Sequence, residues 1–379
     1  MSRGLLRVGP APLADESASL RVVVARSARE LAPYEAAWQA LAGNALEPNS
    51  FYEPWAVTPA LEHLALRGEP WVVLVVAPGP SPRLTGVFPL LRRARWRGLP
   101  LPVLTSFDHD FAFLQTPLVG ARDADATLEA FAEWLRTDSG AALLALERLA
   151  LDGPFFARMT GVLRRRAQAL HIDDCYPRAV LPRPAAGAGV YLDEALSPKK
   201  RKELRRLEKR LAEQGTLRAV ASHGNGDTVR LVRRFLELEA SGWKGREGTA
   251  LASSLPTRRF FEALAQGAAR AGRLHVLSLE LDGRAIAMQI NFVAPPGSYS
   301  FKIAYDEALG GFSPGVLLEP AVEWMDSCAV SDHALINRLW LHRRTLGTVL
   351  VSTGHAFGDV LLAALPLARL ARRALRAKS

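Results

Sequence analysis

The chain has 379 residues, of which 49% are hydrophobic and 23% are charged, as in a globular protein rather than a disordered one. Its formal net charge of +10 indicates an acidic partner, such as a phosphorylated ligand, an anionic membrane or nucleic acid. Two cysteines exclude a disulfide framework, and no apolar run reaches the roughly 18–20 residues that span a bilayer. We therefore expect two domains and a cytoplasmic location, at most peripheral to the inner face of the cytoplasmic membrane.

Strand-like and helix-like segments alternate through the first half of the chain. Helical spacing of apolar residues is found in 28–41 and 126–136. Strands are predicted over 20–24, 71–76, 84–91 and 141–146, the middle two being joined by a Pro- and Gly-rich turn. Residues 177–190 are rich in Pro, Ala and Gly and are interpreted as a linker.

The second half repeats this order of elements. Helices are predicted over 228–241 and 257–271, and strands follow over 274–281, 285–293 and 299–306. Asp282-Gly283 suits the tight two-residue turn of a hairpin between the first two of these strands. The recurrence of a hairpin in both halves predicts a tandem duplication of one α/β unit.

Two segments concentrate the positive charge. Residues 199–210 form a predicted helix that begins at Ser197-Pro198 and carries a narrow stripe of leucines. The C-terminal segment 361–379 combines leucines with arginines and Lys378. Either segment can be a solvated surface, or it can attach the protein to an anionic membrane or a polyanionic ligand.

A strand, a glycine-rich turn and a predicted helix follow one another in 299–319. Ser313-Pro314-Gly315 opens the helix, and a helix N-terminus presents free backbone N–H groups and the positive end of the helix dipole. This arrangement is typical of phosphate and pyrophosphate sites. Pro320 should kink the same helix.

Strand alternation predicts a polar face in the second half. If 299–306 alternates regularly, Lys302 and Asp306 share a face opposite to Phe301, Ile303 and Tyr305. Gln289 and Asn291 of the neighbouring strand would line that same polar face. The face would open into a cleft, be solvated, or be satisfied by a Lys302–Asp306 ion pair.

The segment after the helix 228–241 is a second candidate site. It presents Trp243, Lys244 and Arg246 between glycines, in what we interpret as a mobile loop that stacks on a base or covers a phosphate. Glu237 and Glu239 point to opposite sides of their helix, so only one can face a cleft and act as a general base. The alternative is a helix-capping glycine followed by a packed tryptophan.

Other polar residues give weaker signals. His109 and Asp110 could form a His–Asp pair, and His333, His342 and His355 lack the spacing of a metal site. The sequence contains no Gly-x-Ser-x-Gly elbow, Walker loop or dinucleotide-binding fingerprint.

Three motifs in a fixed order resemble a known family. They are Ser197-Pro-Lys-Lys-Arg-Lys-Glu-Leu-Arg-Arg-Leu-Glu-Lys-Arg-Leu211, Leu238-Glu-Ala-Ser-Gly-Trp-Lys-Gly-Arg246, and Tyr305-Asp-Glu307 followed by Ser313-Pro-Gly-Val-Leu-Leu318. This succession resembles the CelD/BcsL-like acetyltransferases of the GNAT superfamily, which are related to the FemAB-type aminoacyl transferases. The resemblance covers about residues 20–350 and is stronger in the second half.

The resemblance implies an α/β (α+β) fold of two tandem GNAT-like domains, each a mixed, mostly antiparallel sheet flanked by helices. The expected division is a flexible N-terminus 1–19, a GNAT-like domain 20–180, a linker 181–195, a basic helix 196–216, a GNAT-like acyl-CoA domain 217–358 and a basic tail 359–379. In place of the family's common Asp-Phe-Leu-x-Gly-Asp region the chain has Asp326-Ser-Cys-Ala-Val-Ser-Asp-His333, which predicts a different acceptor pocket.

Site residues are carried over by the same resemblance. Ser313, Gly315 and Val316 would donate backbone N–H groups to the CoA pyrophosphate, with Trp243, Lys244 and Lys302 also in the cofactor site. Tyr305 and Asp306 also match family positions near the cleft. For the chemistry we choose Asp306 or Glu239 as the general base, and a tyrosine such as Tyr305 as the group that protonates the leaving thiolate. We assign Gln289, Asn291, His109 and Asp110 to substrate binding.

The expected function is N-acyl transfer from acetyl-CoA or a long-chain acyl-CoA, without a metal. The acceptor is open between an envelope amino sugar and a membrane-borne amine such as a sphingoid base, which would give a ceramide-like amide. A FemAB-type transferase that uses aminoacyl-tRNA, or a non-catalytic GNAT-fold binding module, is the alternative. We otherwise expect acyl-CoA and an amine-bearing lipid or sugar, not nucleic acid, as partners.

Overall fold

A computed structural model of the protein describes residues 19–183, 188–224, 226–312, 322–331 and 333–364. Thirteen strands of this part form a single sheet. The strands are β1 (Arg21–Ala25), β2 (Glu69–Ala77), β3 (Arg83–Arg93), β4 (Val103–Ser106), β5 (Leu118–Val119), β6 (Leu143–Ala150), β7 (Leu170–Pro182), β8 (Leu217–Ser222), β9 (Leu274–Leu281), β10 (Arg284–Ala294), β11 (Gly297–Tyr305), β12 (Trp324–Asp326) and β13 (His342–Ser352).

Helices flank this sheet. They are α1 (Ala28–Leu31), α2 (Glu35–Ala42), α3 (Pro54–His63), α4 (Ala124–Thr137), α5 (Pro154–Arg165), α6 (Ala188–Ala195), α7 (Pro198–Ala212), α8 (Thr228–Ser241), α9 (Trp243–Arg246), α10 (Leu255–Arg270) and α11 (Ala334–Leu339). Short 3-10 turns cover Ala32–Tyr34, Ser50–Tyr52, Leu251–Ser253 and Glu307–Phe312, and residues 356–364 are helical. The Ser197 hydroxyl caps α7 by accepting from the backbone N–H of Lys200, as expected for Ser before an N1 proline.

The two halves of the chain have the same strand topology. The neighbouring strands run β1-β2-β3-β4-β6 in the first half and β8-β9-β10-β11-β12 in the second. In each half the last two of these strands, β4 with β6 and β11 with β12, are parallel, and the other pairs are antiparallel. The predicted duplication and the mixed, mostly antiparallel sheet with flanking helices are thus confirmed.

The last strand of each half joins the sheet of the other half. Strand β13 of the second half pairs with β6 of the first, and β7 of the first half pairs with β12 of the second. The exchanged strands β7 and β13 also pair with each other over most of their length. The two expected sheets are therefore fused into one by backbone hydrogen bonds.

One hydrophobic core spans both halves. It contains Trp38 and Trp55 of the first half and Phe235, Phe261 and Phe292 of the second. A separate core packs α4 and α5 on the opposite face of the first-half sheet. Because helix α3 packs directly on α10, the halves share their interior as well as their sheet.

A buried charged cluster lies where the exchanged strands meet. Arg344 of β13 bonds to Glu47 from the first half at 2.9 Å and to Asp326 of β12 at 3.2 Å. Arg178 of β7 lies 3.7 Å from Asp326, and the Tyr299 hydroxyl donates to the Pro48 carbonyl at 2.6 Å. Burial raises the pKa of Glu47, and the Arg344 guanidinium opposes that rise.

Several sequence expectations differ from the structure. Residues 177–182, interpreted as part of a linker, belong to β7, and 188–195 of the expected linker form α6. The wider division into domains stays a prediction. The C-terminal segment beyond residue 364 lies outside the described residues.

No helix within the described ranges is long and apolar enough to cross a membrane. Nor does the described part of the chain bring together three or more His, Cys, Asp or Glu side chains that could hold a metal ion.

The fused junction generates a stability prediction. Arg344→Ala should lower the free energy of unfolding by about 3–5 kcal/mol, because it leaves the buried Glu47 carboxylate without its cation and removes the nearer of the two cations beside Asp326. Chemical denaturation measures this directly. The matched control Arg258→Ala breaks an exposed 2.9 Å ion pair with Glu262 and should cost only about 0.3–0.5 kcal/mol. Equal losses in the two variants would contradict a structural role for the junction cluster.

Candidate active site

The parallel strands β11 and β12 separate after a short contact. They pair only through Gly297, Ser298 and Tyr299, while β11 continues to Tyr305 with β10 on its other side. Among the described residues, no strand pairs with the 300–305 edge of β11 on the side of β12. That stretch of β11 therefore presents an open backbone edge at the point where the two strands diverge.

The equivalent opening in the first half is filled by the chain itself. Strands β4 and β6 also pair over only three residues, but the loop after β4 occupies the space beyond them. Ser106 Oγ accepts from the Glu147 N–H at 2.9 Å, and the Gln115 N–H donates to the Arg148 carbonyl at 3.2 Å. Arg148 also donates to the Ala112 carbonyl at 2.8 Å. An open edge of this kind is left only in the second half of the described chain.

A buried carboxylate lies beside the open edge. Glu239, in the last turn of α8, is 2% exposed and accepts from the Leu251 N–H at 2.8 Å and from Lys244 Nζ at 3.1 Å. Lys244 Nζ also donates to the Ile303 carbonyl of β11 at 3.2 Å. The Glu239–Lys244 pair thus contacts the strand edge itself.

The local sequence explains how Lys244 reaches this position. Helix α8 ends at Gly242, and Trp243–Arg246 forms one further turn, α9, instead of the mobile loop that was expected. A side chain at Gly245 would collide with the backbone of Ala240, so glycine permits the close contact between α9 and α8. Glu307 fastens α9 by accepting from the Trp243 N–H at 2.5 Å and from Arg246 at 2.6 Å.

The predicted polar face is wrong, because β11 contains a β-bulge. The register shifts between Ile290 and Asn291, and Lys302 lies opposite Ile290 while Gln289 lies opposite Ile303. Directly opposed residues share a face, so Lys302 lies on the core side, and Gln289 lies on the other. The extra residue in β11 is Phe301, which packs in the core against Phe292, with the ring centroids 4.9 Å apart.

Lys302 joins the Glu239–Lys244 pair on the core side of β11. Its ammonium lies 5.4 Å from the ring centroid of Phe111, a residue of the first half. Burial lowers the pKa of Lys302, and the nearby Lys244 cation lowers it further. The carboxylates of Glu239 and Asp110 raise the pKa of Lys302. The charges of Lys302, Lys244, Glu239 and Asp110 therefore lie close enough to interact.

The loop after β4 lies opposite β11 and faces this group of four charged residues. Phe111 stacks on Phe260 at 5.2 Å, and the His109 ring lies 5.7 Å from Phe260, edge to face. Burial lowers the pKa of His109 to about 4, against the opposing effect of Asp108, so the ring is neutral near pH 7. Its Nδ1 accepts from the Phe111 N–H at 3.3 Å, which leaves the proton on Nε2.

Other expected site residues lie elsewhere. Asp306 bonds to Arg284 at 2.7 Å, rather than to Lys302, and accepts from the Ala308 N–H at 3.0 Å. Tyr305 is 38% exposed and lies opposite Ala287, on the face away from Lys302. No contact within the described residues joins Asp306 or Tyr305 to Glu239.

Some of the remaining candidates lie within the described residues and others lie outside them. Gln289 donates to Ser300 Oγ at 2.8 Å, and Asn291 is fully buried with neither side-chain polar atom hydrogen-bonded among the described residues. Trp243 is 45% exposed at the start of α9. The predicted pyrophosphate residues Ser313, Gly315 and Val316, with Pro320, lie outside the described residues.

Phe111 is the site residue that the sequence interpretation missed. The aromatic residues around His109 were visible, but nothing local indicates that this first-half loop reaches β11 of the second half. The pairing follows only from the shared core.

Comparison with known proteins agrees with this topology. Residues 198–330 match the family described as acetyltransferase (GNAT) domain. The structure of FemX is 11% identical with a TM-score of 0.54, covering 83% of this chain and 95% of FemX. A conserved protein of unknown function from Bacteroides thetaiotaomicron VPI-5482 is 11% identical with a TM-score of 0.51, covering 84% and 97% of the two chains.

No curated protein sequence matches the chain. The two structural similarities concern the fold, whereas the family match covers the second-half segment that carries Glu239, Lys244 and Lys302. Residues 198–330 therefore match a GNAT domain, and the chain has a FemX-like fold built from two halves of the same strand topology.

Proposed function

We propose that this protein is an acyl-CoA-dependent N-acyltransferase whose reaction centre lies between Glu239 and the open edge of β11. The observation that carries the proposal is the Lys244 ammonium, which bonds to both the Glu239 carboxylate and the Ile303 carbonyl. This contact places the buried Glu239 carboxylate beside the open edge of β11, the one place in the described sheet where two parallel strands diverge without another segment between them. Backbone N–H and C=O groups along 300–305 can hold an extended acyl donor as an added strand would be held.

The proposed reaction is direct transfer. The neutral amine nitrogen attacks the thioester carbonyl, a C–N bond forms, the C–S bond breaks, and the products are an amide and a free thiol. Glu239 accepts the proton that the amine loses, directly or through one water, and the protonated carboxyl then gives a proton to the departing thiolate. The Lys244 cation beside the open edge of β11 favours the negative charge that develops on the carbonyl oxygen. Holding both reactants in one cleft contributes much of the rate enhancement.

The donor's pyrophosphate is assigned to Ser313, Gly315 and Val316, which directly follow β11 and the 3-10 turn at Glu307–Phe312. This assignment rests on the family pattern. Trp243 and Lys244 remain proposed donor-site residues, since α9 lies against that turn through Glu307.

The acceptor is proposed to enter from the side of the His109–Phe111 loop. The partly buried Phe111 ring forms this side and packs on the buried rings of Phe260 and Phe301, and the exposed Asp110 lies near Lys302. An apolar wall with a carboxylate at its rim suits an amine that is attached to a larger hydrophobic or sugar body. An amino sugar of an envelope precursor and a lipid amine, such as a sphingoid base, are the two acceptor classes proposed.

The two classes differ in acyl length and are separated by a panel of CoA esters. Saturable turnover of acetyl-CoA without turnover of palmitoyl-CoA would eliminate the ceramide-like product. The reverse preference would favour the lipid amine. The basic face of α7 would then bring the protein to an anionic membrane.

An aminoacyl-tRNA donor is the second candidate function. The FemX-like fold and the cationic helix α7 favour it, because such a helix can contact an RNA backbone. Transfer activity that survives ribonuclease treatment would eliminate this candidate, whereas loss of activity would eliminate the CoA ester as donor.

Replacing the proposed base gives a direct prediction. Glu239→Gln should lower kcat by about 10²–10⁴-fold while leaving the affinity for the CoA ester within a small factor, because only proton transfer is removed. The measurement is steady-state kinetics with isothermal titration of the donor. Glu237→Gln is the matched control, since Glu237 is exposed on the same helix. Similar kcat values for the two variants would contradict the assignment of Glu239.

The rim carboxylate gives a second prediction. Asp110→Asn should raise the KM for a protonated amine acceptor about fivefold and leave kcat unchanged. A fivefold change corresponds to ~1 kcal/mol, the free energy expected for one exposed charge pair. Initial-rate measurements at two ionic strengths check it, because added salt should shrink the difference. Asp174→Asn, at another exposed carboxylate, should leave KM unchanged. An unchanged acceptor KM in Asp110→Asn would place the acceptor elsewhere.

A further inference from the structure

The first half contains a polar cavity that the proposed reaction does not use. Its volume is about 120 Å³. Its polar lining comes from Arg93, Arg95, Arg97, Thr105, Glu147 and Thr348. The cavity lies on the face of β4, β6 and β13 opposite to α4 and α5, since its apolar lining belongs to a separate core from that of the two helices.

The arginines of this cavity are not all neutralised. Arg97 is paired with Asp173, and its guanidinium lies 4.8 Å above the ring of Trp96. Among the described residues, the exposed Arg95 side chain donates only to the Gly98 carbonyl, at 3.5 Å. Arg93 Nε and Nη2 are buried and have no hydrogen-bond partner among the described residues.

A single carboxylate faces these cations. Among the charged lining residues Glu147 is the only acid, and no hydrogen bond to its side chain is found within the described part of the chain. Burial raises the pKa of Glu147, and so does Asp108, whereas Arg93, Arg148 and Arg97 oppose the rise. After Asp173 neutralises Arg97, two guanidinium groups remain against one carboxylate. Buried donors without acceptors cost free energy, and an oxyanion would satisfy them.

We propose that this cavity binds a small oxyanion, a phosphate or a carboxylate group, with Arg93 as its principal ligand and Arg95 as a second. Paired N–H donors of guanidinium groups match the geometry of both kinds of oxyanion. A volume of about 120 Å³ is small, which suits inorganic phosphate or a short carboxylic acid. The site is independent of the proposed acyl transfer.

The cavity adjoins the loop that forms the acceptor side of the candidate active site. Glu147 lines the cavity, and its backbone N–H bonds to Ser106, directly before the loop. Arg148, the next residue of β6, pairs with Asp108 at 2.9 Å. An oxyanion in the cavity therefore lies beside Glu147, a residue that also anchors the start of the loop after β4.

The test is calorimetric titration of the full chain with inorganic phosphate and, separately, with acetate and lactate. We expect one of these anions to bind with a stoichiometry of one. Arg93→Met keeps the aliphatic stem and removes the guanidinium, and it should weaken that binding at least tenfold. Arg29→Met, at an exposed arginine of α1, is the matched control and should bind like the unmodified protein.

A second variant should change the affinity for the anion in the opposite direction. Glu147→Gln removes the opposing carboxylate and should tighten the same anion several-fold at pH 7, an outcome that damage to the fold cannot produce. If circular dichroism shows that Arg93→Met is unfolded, the anion affinity of Glu147→Gln alone tests the proposal. Absence of binding by every anion, equal affinity in Arg93→Met and Arg29→Met, or no tightening in Glu147→Gln would overturn the proposal. Phosphate binding without carboxylate binding, or the reverse, identifies the ligand class.

Discussion

The reciprocal exchange of strands β7 and β13 is the constraint on which the rest of the structure depends. Each strand ends one half of the chain and is hydrogen-bonded to the other half, so the sheet cannot be divided between the halves without breaking a backbone ladder. The exchange also brings Arg344, Asp326 and Glu47 together in the interior. Buried charges of this kind are costly unless they are paired, so the junction favours an arrangement of the halves that keeps these three residues in contact.

A fixed arrangement of the halves is what makes the candidate site composite. Glu239, Lys244 and Lys302 come from the second half, while Phe111 and the neighbouring His109 and Asp110 come from the first. The duplicated topology produces two openings between parallel strands, and the halves use them differently. In the first half the loop after β4 fills the opening, and the same loop then contacts the second-half core. One copy of the fold thus supplies a wall for the site of the other.

Local patterns in the sequence predicted much of the fold. Helix α8 was expected at the bounds it has, and the Asp282-Gly283 turn has positive φ at both residues, as a type I′ hairpin requires. Strand β7 was not predicted, because its prolines suggest a linker. The structure tolerates Pro177 because β7 pairs there only with β13 among the described strands, leaving one edge without a ladder. Glu239 was identifiable as one of two alternating carboxylates, but the bulge at Phe301 reversed the expected face of Lys302. Bulges and exchanged strands are set by contacts far apart in the chain, which a local pattern does not contain.

The central claim is that acyl transfer takes place at the open edge of β11 beside Glu239. A crystal structure with a thioether analogue of an acyl-CoA, in which the scissile bond cannot break, tests this claim most directly. The account predicts that the pantetheine chain lies along residues 300–305 as an added strand, with its sulfur near the Glu239–Lys244 pair and its pyrophosphate at 313–316. An analogue bound in the first half or on the outer surface of the sheet, with the β11 edge unchanged, would contradict it.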